Sequence, residues 1–246
     1  MATRDEMATS FGAAAGEYER GRPSYPAEAV AWLIAPVGLR PRVADVGAGT
    51  GKLTEALRRA GAEVVAVEPD AAMRDAFRRS LPGVEVRAGA AEATGLADGS
   101  VDAVVFGQAW HWVRVPEASA EAARVLRSGG VIGLIWNIRD ESVSWVARLG
   151  AAMKGSHAEE LLAGEGPTVA VPFGTLERES WRWSRAVTRD EVLSMVRSRS
   201  YVITAPAEER ARIEQEVAAL LDEIGAVGDA HVELPYVTHG FRAVAG

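Results

Sequence analysis

The sequence predicts an α/β fold in which helices cover both faces of a doubly wound, mostly parallel sheet of seven strands. Strand-like and helix-like segments alternate from residue 42 to residue 137, several strand segments are almost continuously apolar, and the loops between them are short. Continuous apolar runs are typical of parallel strands that are covered on both faces. The alternating order predicts right-handed crossovers between neighbouring strands.

Seven segments have the composition of strands: residues 43–46, 64–67, 84–87, 102–106, 131–136, 176–186 and 232–244. Helices are predicted over residues 53–60, 71–80, 116–126, 142–154 and 206–224. Residues 161–175 are rich in glycine, proline and alanine, which favours a loop. Thr188 and Glu191 have the spacing of a capping box that opens a further helix.

The composition limits the classes of function. With 246 residues, 48% of them hydrophobic and 25% charged, the chain is long enough for one large globular domain. A formal charge of −7 argues against a broad basic face for nucleic acid. The absence of cysteine excludes disulfides, thiol nucleophiles and cysteine-ligated zinc, and we expect no metal site.

No targeting or membrane segment is evident in the sequence. Three of the first six residues are charged (Arg4, Asp5 and Glu6), where a signal peptide needs an apolar core, and the longest apolar runs have the length of a strand. A membrane span needs about 20 apolar residues. We therefore expect a cytoplasmic protein without nucleic-acid or membrane partners; the sequence does not indicate its oligomeric state.

The turn after the first predicted strand has glycine at alternate positions: Gly47, Gly49 and Gly51. The first of these glycines comes two residues after Asp45. A loop without side chains at the carboxyl end of a strand lets a ligand lie directly against the backbone. Doubly wound sheets hold nucleoside cofactors at this point. The loop therefore predicts a cofactor site, and an ordinary tight turn is the alternative.

Two familiar nucleotide loops do not match this pattern. A phosphate-binding P-loop needs a glycine and a hydroxyl residue where the chain has Val46 and Leu53. The dinucleotide fingerprint needs its third glycine where the chain has Lys52. An NAD-dependent oxidoreductase is therefore disfavoured and is kept as an alternative function.

The spacing Asp45-x-Gly47-x-Gly49-x-Gly51 resembles motif I of the class I S-adenosylmethionine (SAM)-dependent methyltransferases. Further landmarks of that family follow in the same order: Glu68 closing the second strand, then residues 89–92, 99–102 and 123–131. Residues 108–112 and 11–26 resemble a type 11 subgroup that includes trans-aconitate methyltransferase-like enzymes. The chain departs from the family pattern at Ala90, where a polar residue is usual.

This resemblance implies a Rossmann-like fold that binds SAM and releases S-adenosylhomocysteine (SAH). Asp45 would orient the amino-acid end of SAM, and Glu68 would accept both hydrogen bonds of the ribose diol. Tyr18 and Arg22 would meet the cofactor carboxylate, or else form an aromatic staple and a surface arginine. The expected cofactor residues are Tyr18, Arg22, Asp45, Gly47, Ala48, Gly49, Gly51, Glu68, Pro69, Ala91, Glu92 and Gln108. For Glu92 the alternative is a structural role instead of direct contact with the cofactor.

The fourth strand ends in an aromatic tract that includes Trp110, His111 and Trp112, which the resemblance places at the substrate mouth. The alternative is that both tryptophans pack beneath the next helix and His111 is a buried imidazole. His111 is the best candidate for a general base, because an unperturbed imidazole has a pKa of about 6.5. Arg139 follows the fifth strand and would bind an acidic substrate or pair with Asp140 at the surface.

The combined hypothesis is a SAM-dependent methyltransferase that acts on a small molecule, with a carboxylate or hydroxyl as acceptor. A SAM-binding protein without catalytic activity is a further alternative. We expect one domain over residues 1–246, with a helical cap at 1–40, the cofactor-binding core at 41–137, and a lid with the closing strands at 138–246.

Overall fold

The computed structural model describes residues 22–153 and 156–246. Its centre is one seven-stranded sheet in the order β3-β2-β1-β4-β5-β7-β6. The strands are β1 (Arg42–Val46), β2 (Glu63–Val67), β3 (Val86–Arg87), β4 (Val101–Gly107), β5 (Leu126–Arg139), β6 (Glu177–Thr188) and β7 (His231–Val244). The predicted Rossmann-like α/β fold is confirmed.

The first five strands are parallel, and β7 runs antiparallel to both of its neighbours, β5 and β6. In the parallel part, Ala44 lies beside Val65 of β2 and Val104 of β4. In the antiparallel part, Arg139 lies beside Tyr236. Since parallel strands place their carboxyl ends at one edge, the loops after β1, β2, β4 and β5 meet there.

Nine α-helices connect or flank these strands in the described parts of the chain. They are α1 (Ala27–Ile34), α2 (Lys52–Arg59), α3 (Ala71–Ser80), α4 (Val115–Val125), α5 (Ser144–Met153), α6 (His157–Ala163), α7 (Arg189–Arg197), α8 (Ser200–Thr204) and α9 (Ala207–Glu223). Short 3-10 helices cover Ala35–Val37 and Trp110–Trp112.

Alternate side chains of each strand point to opposite faces of the sheet and build two apolar layers. On one face, α1 and α2 pack against Val43, Val105 and Ile135. On the other, α4 packs against a layer that includes Val104 and Phe106. A third cluster joins α5, α7 and α9 to β7, so the carboxyl-terminal helices have a core of their own against the end of the sheet.

Several predicted boundaries are wrong. The third strand is only Val86–Arg87 rather than residues 84–87, because the chain is still in a turn closed by the Val84 N–H to Leu81 carbonyl bond. The fifth strand begins at Leu126, five residues earlier than expected, directly after α4. Part of the predicted loop at 161–175 belongs to α6.

Capping explains both the missed helix and a confirmed one. Ser156 and Glu159 form a capping box that starts α6, with Ser156 Oγ accepting from Glu159 N and the Glu159 carboxylate accepting from Ser156 N. The predicted box of Thr188 and Glu191 starts α7 in the same way. No helix in the described part of the chain is long and apolar enough to cross a membrane.

The packing of α1 on β5 gives a test of the core. A Cβ added at Gly133 would lie 2.7 Å from Leu33 Cγ. We expect Gly133→Ala to lower the free energy of unfolding by about 1–3 kcal/mol, because overpacking forces the neighbouring side chain to move. Urea unfolding measures the change. Gly174→Ala is the matched control, since a Cβ there meets nothing within 4 Å in the described chain; equal effects of the two variants would contradict the close packing.

Candidate active site

A cavity of about 350 Å³ opens at the edge of the sheet where four parallel strands end. Its wall includes Gly47 after β1, Glu68 after β2, Gln108 after β4 and Arg139 at the end of β5. Residues 156–159 of the α6 segment also line it. This volume lies in the range of small-molecule sites, and the position is the usual ligand site of a doubly wound sheet.

The glycine loop forms one side of the cavity. Gly47 and Gly51 have φ angles of 71° and 94°. An added Cβ at Gly47 would lie 2.7 Å from Ala109 Cβ, and one at Gly51 would lie 2.5 Å from Leu81 Cδ1. At Gly49, in contrast, a Cβ would meet no described atom within 4 Å, and the residue lines the cavity. The backbone at Gly49 is therefore open to a ligand.

Asp45 lies beneath this loop and not in the cavity wall. Its carboxylate is fully buried and accepts a hydrogen bond from Thr54 Oγ1 in α2. Burial raises the pKa of Asp45 to about 7, with a smaller contribution from Glu68 and against the lowering effect of the Thr54 hydrogen bond. In this structure Asp45 therefore ties the loop to the helix that follows it.

Glu68 holds the glycine loop to the end of β2. Its Oε2 accepts from Gly49 N at 2.8 Å, and its Oε1 accepts from Asp70 N at 2.9 Å. Burial raises the pKa of Glu68, although these two backbone hydrogen bonds oppose the rise. A carboxylate oxygen has two acceptor positions. Each oxygen of Glu68 therefore keeps one position that can accept from a ribose hydroxyl.

The loop after β3 borders the same cavity. Ala90 and Ala93 close it with two backbone hydrogen bonds of 3.1 Å, and Ala90, Ala91 and Glu92 line the wall. Glu92 Oε1 also accepts from Arg114 N at 2.8 Å, at the residue before α4. Glu92 thus joins this loop to the start of α4, as its structural interpretation predicts.

Gln108 is held in a strained conformation at the end of β4. Its φ of 56° is unusual for a residue with a side chain. Gln108 N donates to the Ile135 carbonyl at 2.9 Å, and Nε2 donates to the Asn137 carbonyl at 2.9 Å. Asn137 in turn donates to the Ser24 carbonyl at 3.0 Å. Such strain, held by the neighbouring strand, is characteristic of functional sites.

Aromatic rings from two elements form one part of the wall. The ring centroids of His111 and Trp112 are 4.9 Å apart, and those of Trp112 and His157 are 5.2 Å apart. All three residues line the cavity. Because His157 belongs to α6, this contact joins the α6 segment to the tract after β4.

Trp110, which the resemblance places at the substrate mouth, does not line the cavity and instead packs inside the fold, as the alternative interpretation predicts. Its side chain is only 2% exposed and packs edge-on against Phe106, with ring centroids 4.7 Å apart. Its indole N–H donates to the Thr168 carbonyl at 2.9 Å. Since Trp110 is the first residue of a 3-10 turn, its ring lies beneath the tract while those of His111 and Trp112 reach the cavity.

The tautomer of the His111 imidazole is determined by its contact with Trp136 on β5. Trp136 Nε1 lies 3.2 Å from His111 Nδ1. An indole nitrogen only donates, so His111 Nδ1 must accept. In the neutral imidazole the proton is then on Nε2, and His111 offers that nitrogen as a donor instead of a proton-accepting lone pair.

The predicted surface pair of Arg139 and Asp140 is wrong. Arg139 is 5% exposed, lines the cavity and bonds to Glu159 Oε1 at 2.7 Å. Asp140 instead pairs with Arg182 of β6. The strand alternation explains the difference, because adjacent residues at the end of a strand point to opposite faces.

Most of the expected site residues line the cavity: Arg22, Gly47, Gly49, Glu68, Pro69, Ala91, Glu92, Gln108, His111, Trp112 and Arg139. Four do not: Asp45, Ala48, Gly51 and Trp110. Ala48 packs with Phe77 of α3, and Gly51 is the residue before α2. Tyr18 lies outside the described residues.

Other residues of the wall were not predicted from the sequence: His157, Glu159, Met195, Arg199 and Tyr236. Arg199 is only 5% exposed. Its partner is Glu159, 40 positions away. No local pattern signals such a pairing.

Comparisons with known proteins agree with this geometry. Residues 44–134 match a family described as "Methyltransferase domain". The chain is 45% identical to an uncharacterized methyltransferase of Mycobacterium tuberculosis, over 98% of each chain. It is 32% identical to an uncharacterized methyltransferase-like protein of Schizosaccharomyces pombe, over 99% of this chain and 98% of the other.

A solved structure shows the same fold. It is that of an Anaeromyxobacter dehalogenans protein described as a type II methyltransferase, and it is similar with a TM-score of 0.73. The two chains are 24% identical, and the match covers 91% of this chain and 98% of the other.

The burial of Asp45 predicts a pH dependence of stability. The unfolded carboxyl loses its proton near its ordinary pKa of 3.8, whereas the folded one keeps it up to a pKa of about 7. Stability should therefore fall as the pH rises between these values, by about 2 kcal/mol from pH 5 to pH 8. Asp45→Asn should lose this component. Urea unfolding of both ligand-free proteins at the two pH values measures it, and identical pH profiles would contradict the buried protonated carboxyl.

The Trp136 contact predicts the tautomer of His111. At a pH where the imidazole is neutral, nitrogen-15 NMR of the labelled protein should show His111 protonated on Nε2. Trp136→Phe removes the indole donor, so the Nδ1-protonated form should then appear. His231 is the internal control, because it is exposed on β7 and should not change. An Nδ1-protonated His111 in the unaltered protein would contradict the geometry.

Proposed function

The chain belongs to the class I SAM-dependent methyltransferases, and we propose that its cavity carries methyl transfer from SAM to an oxygen of a small molecule, a carboxylate or a hydroxyl. The relatives that show the family cover nearly the whole chain. This membership removes the reason for considering an NAD-dependent oxidoreductase. Within the family, the likeness to trans-aconitate methyltransferase-like enzymes stays a prediction.

The observation that carries the cofactor assignment is the junction of Glu68 with Gly49. A buried carboxylate with two unused acceptor positions lies next to a backbone that faces open space. This chemistry fits a nucleoside, because a ribose offers two neighbouring hydroxyl donors to one carboxylate. We propose that Glu68 binds the ribose and that Gly47 and Gly49 lie against the methionine part.

The remaining cofactor contacts follow from the order of the loops along the sheet edge. We propose that Pro69, Ala91 and the Glu92 backbone border the adenine, because they follow β2 and β3 at one end of the cavity. Gln108 and Arg22 then lie towards the amino-acid end, where the guanidinium pairs with a carboxylate. Asp45 acts on this end indirectly, through the loop that it ties to Thr54.

The chemistry needs little from the protein beyond alignment. Bound SAM supplies a methyl group on a positively charged sulfur; an oxygen lone pair forms the new C–O bond while the C–S electron pair returns to sulfur. The wall of His111, Trp112 and His157 excludes water and positions the acceptor on the methyl side. Because the neutral His111 carries its proton on Nε2, it supports a role in donating a hydrogen bond to the acceptor rather than in removing the acceptor's proton.

Calorimetric titration with SAH tests the cofactor site. We expect Glu68→Gln to weaken SAH binding at least tenfold, because hydrogen bonds to a charged acceptor contribute about 1.5–3 kcal/mol each. Glu63→Gln is the matched control: it alters an exposed glutamate at the other end of the same strand and should change the dissociation constant less than twofold. Unaltered SAH affinity in Glu68→Gln would exclude Glu68 from the ribose, and no binding by the unaltered protein would exclude the proposed function.

A further inference from the structure

One part of the cavity wall contains two buried arginines that share one carboxylate. Arg139 Nη2 lies 2.7 Å from Glu159 Oε1, and Arg199 Nη2 lies 2.9 and 3.0 Å from the two Glu159 oxygens. Both arginines are 5% exposed, and all three residues line the cavity. We refer to Arg139, Glu159 and Arg199 as the arginine cluster.

The arginine cluster carries an excess positive charge. Burial and the neighbouring Arg199 lower the pKa of Arg139 to about 10, so it is still protonated at neutral pH. Burial acts to raise the pKa of Glu159, but the two guanidiniums outweigh it and lower this pKa to about 2. Two cations therefore face one anion.

The surrounding charges do not remove this excess. Glu141 lies 3.9 Å from Arg139, but half of its side chain is exposed to solvent, which screens the interaction. Arg185 pairs with Glu191 at 3.4 Å and adds no net charge. A buried net charge is costly unless an opposite charge compensates it.

The arginine cluster also has donors that the described chain does not use. The Nε atoms of Arg139 and Arg199 are buried and have no hydrogen-bond partner among the described residues. A guanidinium presents its N–H groups in a planar fork that matches the two oxygens of a carboxylate. The unused donors and the excess charge point to the same chemical class of ligand, an organic anion.

We propose that the methyl acceptor carries a carboxylate that binds at Arg139 and Arg199, so that this enzyme selects anionic acceptors over neutral ones. This inference rests on the proposed function, since it concerns the acceptor of the same cavity. Glu159 neutralises one guanidinium and leaves the other positive charge for the acceptor.

A second possible source of a carboxylate is SAM itself, and the position of the arginine cluster favours the acceptor. Arg139 ends β5, three strands from β2, where Glu68 lies. Neighbouring strands are about 4.8 Å apart, which places the two sites about 14 Å from each other across the sheet. Arg139 and Glu159 lie on the side of the cavity formed by β5, β7 and α6, whose His157 contacts Trp112.

Calorimetry on the SAH-loaded protein tests the proposal without a known acceptor. The probes are acetate, benzoate, succinate and citrate at constant ionic strength. Acetate, benzoate and succinate are each compared with the corresponding primary amide. We expect at least one carboxylate to bind tenfold or more tightly than its amide. Arg199→Met should weaken that binding at least tenfold while the SAH dissociation constant changes less than twofold.

Two further variants separate charge from folding. Arg197→Met is the matched control, because Arg197 ends the helix two residues earlier and pairs with Glu214 at 2.7 Å on the surface; carboxylate binding should be retained. Glu159→Gln adds one to the net positive charge and should tighten binding of the same carboxylate, an effect opposite in sign to that of Arg199→Met.

Two results would overturn the proposal while leaving the cofactor site intact. The first is SAH binding without preference for any carboxylate over its amide. The second is an equal loss of SAH affinity in Arg199→Met, which would assign the arginine cluster to the cofactor carboxylate. Absence of SAH binding in the unaltered protein would instead overturn the proposed function.

Discussion

The structure of the cavity depends on one buried carboxylate that joins two loops. Glu68 accepts a backbone hydrogen bond from Gly49 on one oxygen and from Asp70 on the other. The first bond fixes the glycine loop, and the second fixes the turn into α3, whose first amides Asp70 caps. Because both donors are backbone groups, the junction requires little of the neighbouring side chains. It requires instead that the backbone at Gly49 keep its left-handed conformation, with a φ of 55°, and that β1 and β2 keep their register.

The charge buried beneath the glycine loop and the charge buried in the arginine cluster are compensated in different ways. At Asp45 burial is met by a raised pKa of about 7, so that the carboxyl is about half neutral near pH 7 and largely neutral at lower pH. Arg139 and Arg199 cannot become neutral in the same way, because a guanidinium keeps its proton at all ordinary pH values. Glu159 therefore supplies the compensation from α6. The position of α6 is consequently linked to the charge of the cavity wall.

How far the sequence alone predicts this protein depends on the range of each signal. The order of strands and helices is predicted from short local patterns, and the fold that they predict is the one observed. The glycine loop and Glu68 are also recognisable locally, because Gly49 and Glu68 are 19 positions apart. Trp110 and Trp112 lie two residues apart in one aromatic tract, and only the 3-10 turn decides which of them is buried. Arg199 and Glu159 meet through packing of the carboxyl-terminal helices, which no local spacing encodes. The part of the cavity at the glycine loop is therefore predictable from the sequence, and the part at the arginine cluster is not.

The tautomer of His111 and the charge of the arginine cluster together restrict the reaction. A hydroxyl acceptor needs a group that removes its proton, and the hydrogen bond from Trp136 makes the neutral His111 a donor at its other nitrogen. An ionised carboxylate needs no such group, because its oxygen already has the lone pair that attacks the methyl. A site that donates hydrogen bonds and carries excess positive charge favours that ionised form. A general base is therefore unnecessary for the anionic acceptor that we propose, provided that the carboxylate is the group that receives the methyl.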